Sequence, residues 1–113
     1  MEYNKNREGD GMNTIKRLQA FIVWMGGLKD MQAKQRIAAR INRAMDGNFG
    51  DHHFLRDGVS EMRIDCGPGY RVYYAQEGTT IYLLLSGGDK RNQDADIAKA
   101  IALWKTYKEG EKQ

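Results

Sequence analysis

The sequence predicts an α+β domain: a strand, a helical hairpin, a mostly antiparallel meander of three or four strands and a C-terminal helix. Three observations carry this. Apolar residues recur at three- and four-residue spacing from Leu18 to Met45, a Gly67-Pro68-Gly69 bend separates two stretches of two-residue alternation, and an amphipathic segment follows Asn92. Helices set before and after a run of strands, rather than alternating with them, mark the α+β class, with the helices mostly on one sheet face.

Residues 1–11 hold Glu2, Lys5, Arg7, Glu8 and Asp10 beside two glycines, and only Tyr3 offers much to a core. They are expected to form a disordered extension ahead of a domain spanning residues 12–108. Thr14 to Leu18 is a strand candidate. Leu18, Phe21, Ile22, Met25 and Leu28 then mark a short helix whose end Gly26-Gly27 loosens. Asp30 is placed to cap a second helix running to about Asp46, with Ala33, Ile37, Ile41 and Ala44 or Met45 turned inward. Its other face is basic, carrying Lys29, Arg36, Arg40 and Arg43. Gly47 to Asp51 is a turn-rich loop anchored by Phe49, and a short strand near Phe54 to Arg56 ends at Asp57-Gly58.

The next two strands, from Val59 to Asp65 and onward from Tyr70, are joined by the Gly-Pro-Gly bend. A loop of two or four residues would place Arg71 on the face of Met62 and Ile64, where an unpaired guanidinium is costly to bury. A three-residue loop pairs Cys66 with Tyr70 and makes Gly69 the left-handed residue. Met62, Ile64, Val72 and Tyr74 then share one face, and Glu61, Arg63, Asp65, Arg71 and Tyr73 share the other. Thr80 to Ser86 is apolar on both faces and suits the most buried strand. In the last helix Asn92 is the expected cap, Asp94 and Asp96 open it, Lys105 and Lys108 close it, and Ile97, Ala100, Ile101 and Trp104 line its apolar side. Residues 109–113 read as a frayed tail.

The 113 residues suffice for one core, and 41% hydrophobic with 29% charged residues is ordinary for a globular protein. A net charge of +3 permits a nucleic-acid partner without requiring one. The single cysteine, Cys66, excludes an internal disulfide, and no apolar run approaches the ~20 residues that span a bilayer. A cytoplasmic protein without a membrane partner is the expectation.

The charged face of Glu61, Arg63, Arg71 and Tyr73 holds the groups needed for cutting RNA without a metal: guanidiniums for a phosphate, a carboxylate for a proton, and a ring for a base. A solvated face with a cross-strand pair such as Asp65–Arg71 is the plain alternative. Gly87-Gly88-Asp89-Lys90-Arg91 is either a structural corner or a phosphate-receiving turn, and it lacks the spacing of a Walker loop. The Lys29, Arg36, Arg40, Arg43 stripe suits a phosphate backbone or plain solvation. His52 and His53, adjacent on a strand, point to opposite faces and find no partners for a zinc site.

Four segments occur in order: Gly47 to Asp51, Gly58 to Ile64, Gly67 to Tyr74, and Leu84 to Lys90 followed by Gln93 and Asp96-Ile97. Together, over about Ile15 to Leu103, the chain resembles the addiction-module killer proteins of the RelE/ParE toxin superfamily, the HigB-like group also found in phages. The resemblance implies a RelE-like domain and a type II toxin held inactive by a cognate helix-turn-helix antitoxin. It further implies a ribosome-dependent mRNA endoribonuclease (an mRNA interferase), in which a 2′-hydroxyl attacks its own phosphate and translation is inhibited. Arg71 matches the Arg of the Gly-Tyr-Arg strand, Lys90 or Arg91 the basic residue opening the last helix, and Arg63 and Glu61 residues of the preceding strand. The implied catalytic set is Glu61, Arg63, Arg71, Lys90 and His53, with Tyr73, Arg91, Lys29, Arg36, Arg40 and Arg43 on RNA, and with no metal and no cofactor. Departures are His53 where Lys is common, Arg91-Asn92 where a Ser or Thr pair is common, and no aromatic or His directly after Lys90. The alternatives are a ParE-like poison of a target such as DNA gyrase, or an inactive antitoxin-binding module.

Overall fold

The computed structural model describes residues 13–111; the extension expected at 1–11 and the last two residues of the tail lie outside them. Along the chain come β1 (Thr14–Arg17), α1 (Gln19–Gly27), α2 (Met31–Met45), β2 (His52–Arg56), β3 (Val59–Ile64), β4 (Tyr70–Glu77) and β5 (Ile81–Asp89). A single 3₁₀ turn (Lys90–Asn92) then leads into α3 (Gln93–Glu111). The strands form one sheet in the order β1-β5-β4-β3-β2, antiparallel except for β1 beside β5. The α+β class and element order agree with the sequence reading.

Asp30 caps α2 as its position suggests, its Oδ1 accepting from the amides of Gln32 at 3.0 Å and Ala33 at 3.2 Å. Asn92 does not cap α3. Asp89, at the end of β5, caps the 3₁₀ turn that leads into it and accepts from the Arg91 amide at 2.9 Å. The helix continues to Glu111, past the point where fraying was expected.

The β3–β4 register is two residues away from the expected one. Ile64 pairs with Tyr70 and Arg63 with Arg71, so Asp65 and Cys66 join the loop. That loop closes through Cys66 N–H to Ile64 O and Gly69 N–H to Cys66 O, with Gly67 and Gly69 both at positive φ. A two-residue slip returns every side chain to the same face. The division of faces therefore stands, while the expected Asp65–Arg71 pairing is lost.

Two of the three helices share one face, and the third covers the other. Phe21 of α1 with Ile37, Ile41 and Ala44 of α2 packs on Met62, Ile64, Val72, Tyr74 and Leu84. Ala100 and Trp104 of α3 pack on Val59, Tyr73, Ala75, Leu83 and Leu85. The consecutive apolar residues of β5 serve both layers, and a bulge opposite Tyr73 and Tyr74 turns Ser86 toward the α3 side together with Leu85. The charged side of β3 and β4 thus lies partly beneath a helix.

Gly87 and Gly88 are strand residues rather than a corner. A Cβ on Gly87 would lie 2.3 Å from the Trp24 ring, and one on Gly88 would lie 2.1 Å from Asp96 Oδ2. Each gives up its side chain so that a helix can approach. Gly87→Ala is expected to lower stability by roughly 1–3 kcal/mol, read as a lower urea midpoint with an unchanged slope. Gly26→Ala, where a Cβ meets nothing within 4 Å, should leave the midpoint level or higher.

Candidate functional site

Strand alternation sets two polar rows under and beside α3. In the first, Glu61 of β3 stands opposite Tyr73 of β4, which stands opposite Ser86 of β5. In the next, Arg63 stands opposite Arg71, which stands opposite Gly88. Two guanidiniums facing each other across a strand pair repel. Glu61 resolves this from the neighbouring row. Its Oε2 accepts from Arg63 Nε at 2.7 Å, and its Oε1 lies 3.3 Å from Arg71 Nε, an ion pair whose alignment falls short of a hydrogen bond.

The three side chains differ in access. Glu61 is wholly buried, Arg71 keeps 10% of its side chain in solvent and Arg63 keeps 42%. The hydrogen bond that Arg63 donates to Glu61 raises its guanidinium above the ordinary range. Over Gly88 sits the Asp96 carboxyl of α3, raised above the usual carboxylate range by burial and then by Asp89.

Beside these rows opens a cleft of about 280 Å³ whose walls include Asp51, Arg63, Asp65, Tyr70, Arg71 and Lys90. Lys90 leaves the 3₁₀ turn and lies over Gly69, where an added Cβ would meet its Cε at 3.4 Å. Among the described residues no ion-pair partner for Lys90 is found. Three cations from three elements therefore converge on one opening. Ile64 and Asp65 also border a second depression of about 320 Å³, edged by Arg36, Arg40 and Arg43 of α2. The arrangement suits an extended anion with more than one phosphate.

Several expected roles change. Tyr73 has no exposed surface, because α3 covers it, and so cannot stack on a base. Glu61, equally buried, cannot meet a substrate hydroxyl and acts by holding the two guanidiniums. Arg40 faces inward: its guanidinium donates to the backbone oxygens of Arg63, Phe49 (2.8 Å) and Asp51 (3.2 Å), and burial lowers its pKa. Lys29 lies exposed between α1 and α2 and borders neither depression. Arg91 is bound to Asp89 at 2.6 Å, which holds that carboxylate below its usual range. His53 stands opposite Glu61, with Nε2 3.0 Å from Asp51 Oδ1.

Sequence reasoning missed Asp51 and Tyr70, which border the cleft, and Asp96, which enters from α3. Asp51 lies two residues before His53, the spacing of same-side neighbours on an extended chain, and that was the available signal. Among the described residues no three His, Cys, Asp or Glu side chains gather as a metal site. No helix of those residues is long and apolar enough to cross a membrane.

Two outcomes test this geometry. Glu61→Ala leaves Arg71 buried without its partner and should cost roughly 3–5 kcal/mol in chemical denaturation. Burial, followed for Tyr73 by the Glu61 and Asp96 carboxylates, pushes the hydroxyls of Tyr73 and Tyr74 up to about 12. An unfolded chain ionises tyrosine near 10, so this contribution to stability is fully present below pH 10 and is lost as pH rises toward 12. Tyr73→Phe should flatten the alkaline decline, and ultraviolet titration should show two tyrosines ionising late.

No family model matches the chain. It is 48% identical over 89 residues to an uncharacterized protein of Haemophilus influenzae (strain ATCC 51907 / DSM 11121 / KW20 / Rd), a match covering 79% of this chain and 90% of that protein.

Proposed function

The chain belongs to one family with that Haemophilus influenzae protein, and we propose that it is the toxin of a type II toxin–antitoxin module, a metal-independent endoribonuclease that cleaves mRNA on the ribosome. The observation that carries this reading is the convergence of Arg63, Arg71 and Lys90 on one cleft, with Glu61 buried behind the two arginines. The motif resemblance supplies the substrate class, the antitoxin partner and the cytoplasmic setting.

In this reading a phosphodiester seats against Arg63 and Lys90, with Arg71 fixed at the back wall. The 2′-oxygen of the preceding nucleotide attacks the phosphorus, the P–O5′ bond breaks, and a 2′,3′-cyclic phosphate and a 5′-hydroxyl result. The attacking hydroxyl gives its proton to Asp51, on the cleft wall and backed by His53 Nε2 at 3.0 Å, and O5′ receives one from the Lys90 ammonium. Negative charge growing on the non-bridging oxygens is met by guanidiniums that Glu61 already holds in place, so little reorganisation accompanies the step. Tyr70, on the cleft wall, takes the stacking role expected of Tyr73. Arg36 and Arg43 extend the cationic track toward ribosomal RNA.

Purified protein in a cell-free translation reaction should produce mRNA cut within ribosome-bound codons. Arg63→Ala and Lys90→Ala, both on solvent-reaching side chains, should each slow cleavage by roughly 10²–10³-fold without loss of fold. Arg71→Ala should do the same and also destabilise. Intact mRNA on stalled ribosomes would remove the nuclease reading.

A further inference from the structure

The sheet face that packs on α1 and α2 is not covered throughout. Toward the β2 edge Phe54, Ser60 and Tyr74 stand side by side across three strands, and Gln76 stands opposite Tyr82 one row further on. Phe54 is 69% exposed, and His52 and Gln76 beside it are exposed as well. These side chains wall a pocket of about 550 Å³ that also meets Phe49 and Trp104. Trp104 reaches it from α3 past Gly58, where an added Cβ would lie 2.6 Å from the indole Nε1. Phe49 stacks on Tyr74 at 5.1 Å and tilts against Tyr82 at 4.8 Å, so the orientation of these rings is set before anything binds.

Among the described residues no Asp, Glu, Lys or Arg lines this pocket, and its polar groups are neutral. His52 Nδ1 lies 2.8 Å from Gly50 O, which leaves Nε2 of the neutral ring as an acceptor. Gln76 Nε2 donates to Thr79 O at 3.2 Å, its Oε1 remains an acceptor, and Ser60 brings a hydroxyl. At the rim the exposed Lys108 holds its Nζ 5.0 Å from the centre of the Trp104 ring, and among the described residues no ion pair engages it. We infer that the pocket is a nucleotide-binding site, taking a nucleobase against Phe54 and the Phe49–Tyr82 wall and the attached phosphate at Lys108. A flat, uncharged ring with donors and acceptors along its edge is what aromatic walls with neutral polar groups select, and a rim cation suits the charge that follows it. An apolar side chain of a protein would leave the acceptors unpaired. The nucleotide comes either from single-stranded RNA or free from solution. For the first source the fold offers a path: Asp51 of the cationic cleft and His52 of the pocket are consecutive at the start of the edge strand β2, so a strand rounding that edge meets both. The pocket lies on the sheet face opposite the Glu61 row and does not depend on the nuclease reading.

The test is a titration of the full isotope-labelled chain, followed by nuclear magnetic resonance, with AMP, CMP, GMP and UMP. Ribose 5-phosphate serves as the base-free control, and a 2′-O-methyl oligonucleotide, which has no 2′-hydroxyl to attack, serves as the uncleaved strand. Ring and amide shifts should centre on His52, Phe54, Ser60 and Tyr82. Phe54→Ala, on an exposed ring, should weaken binding about tenfold or more, and Phe54→Trp should retain it. Lys108→Ala should weaken binding roughly threefold and flatten its salt dependence. Val23→Glu, on α1, should leave it unchanged; thermal midpoints confirm that each variant is folded. An oligonucleotide that binds about tenfold or more tighter than the mononucleotides, and loses that advantage in Arg63→Ala, identifies a single strand as the source. Equal affinities identify a free nucleotide. Absence of shifts with every nucleotide, ribose 5-phosphate binding as tightly as the nucleotides, or shifts confined to Arg63 and Lys90 would overturn the inference. So would a peptide bearing Phe and Tyr that binds more tightly than every nucleotide, which would assign the pocket to a protein. Intact mRNA in the translation reaction, with nucleotide binding unchanged, would sink the nuclease reading alone.

Discussion

A single carboxylate reconciles two arginines that the sheet places face to face. Without Glu61, the pairing of Arg63 with Arg71 would set two positive charges across one rung of the ladder, one of them nearly out of water. With it, both guanidiniums are anchored from behind, one by a hydrogen bond and one by an ion pair. Burying such a group costs more than an apolar residue of similar size would. Nearby, Glu61 Oε1, Arg71 Nε, Tyr73 Oη and Ser86 Oγ are all buried without a hydrogen-bond partner. Four such atoms in two adjacent rows form a polar layer that weakens the core. What the layer provides is rigidity for the cations at the cleft.

That rigidity is extended by the helices on either side. Helix α3 closes over the Glu61 row because Gly88 lets Asp96 come down to the strand. From the opposite layer, Arg40 of α2 ties the Phe49–Asp51 loop to the end of β3 through three backbone oxygens. The Arg63 amide in turn donates to Asp51 O at 2.9 Å, so the cleft residue Asp51 and the arginine beside it move as one. The basic face of α2 is therefore of two kinds: Arg40 is a brace, while Arg36 and Arg43 remain exposed.

Much of the fold was legible because its signals are local. Helix periodicity located α2 and its cap, since Ala33, Ile37, Ile41 and Ala44 must share one side and Asp30 must meet free amides. Parity assigned the faces of β3 and β4 correctly even with the loop length wrong, because any even slip preserves them. Parity could not tell a three-residue loop from one of five. The strand continuing through Gly87 and Gly88 was hidden, because glycine signals a turn unless a neighbour needs its missing side chain. Trp24, distant in the chain, and Asp96, brought back by the following helix, are those neighbours.

The sequence by itself determined which side chains alternate together: the two-residue repeat sets Glu61 with Arg63 and Arg71 with Tyr73, and a loop of odd length puts the two pairs on one face. Only the tertiary structure decided how much water each would see. The third helix has to bury Ala100 and Trp104 against the second face of the sheet. In doing so it covers Tyr73 and Glu61 and leaves Arg63 and Lys90 at the surface. Exposure is a property of what lies above a strand, and nothing within the strand encodes it.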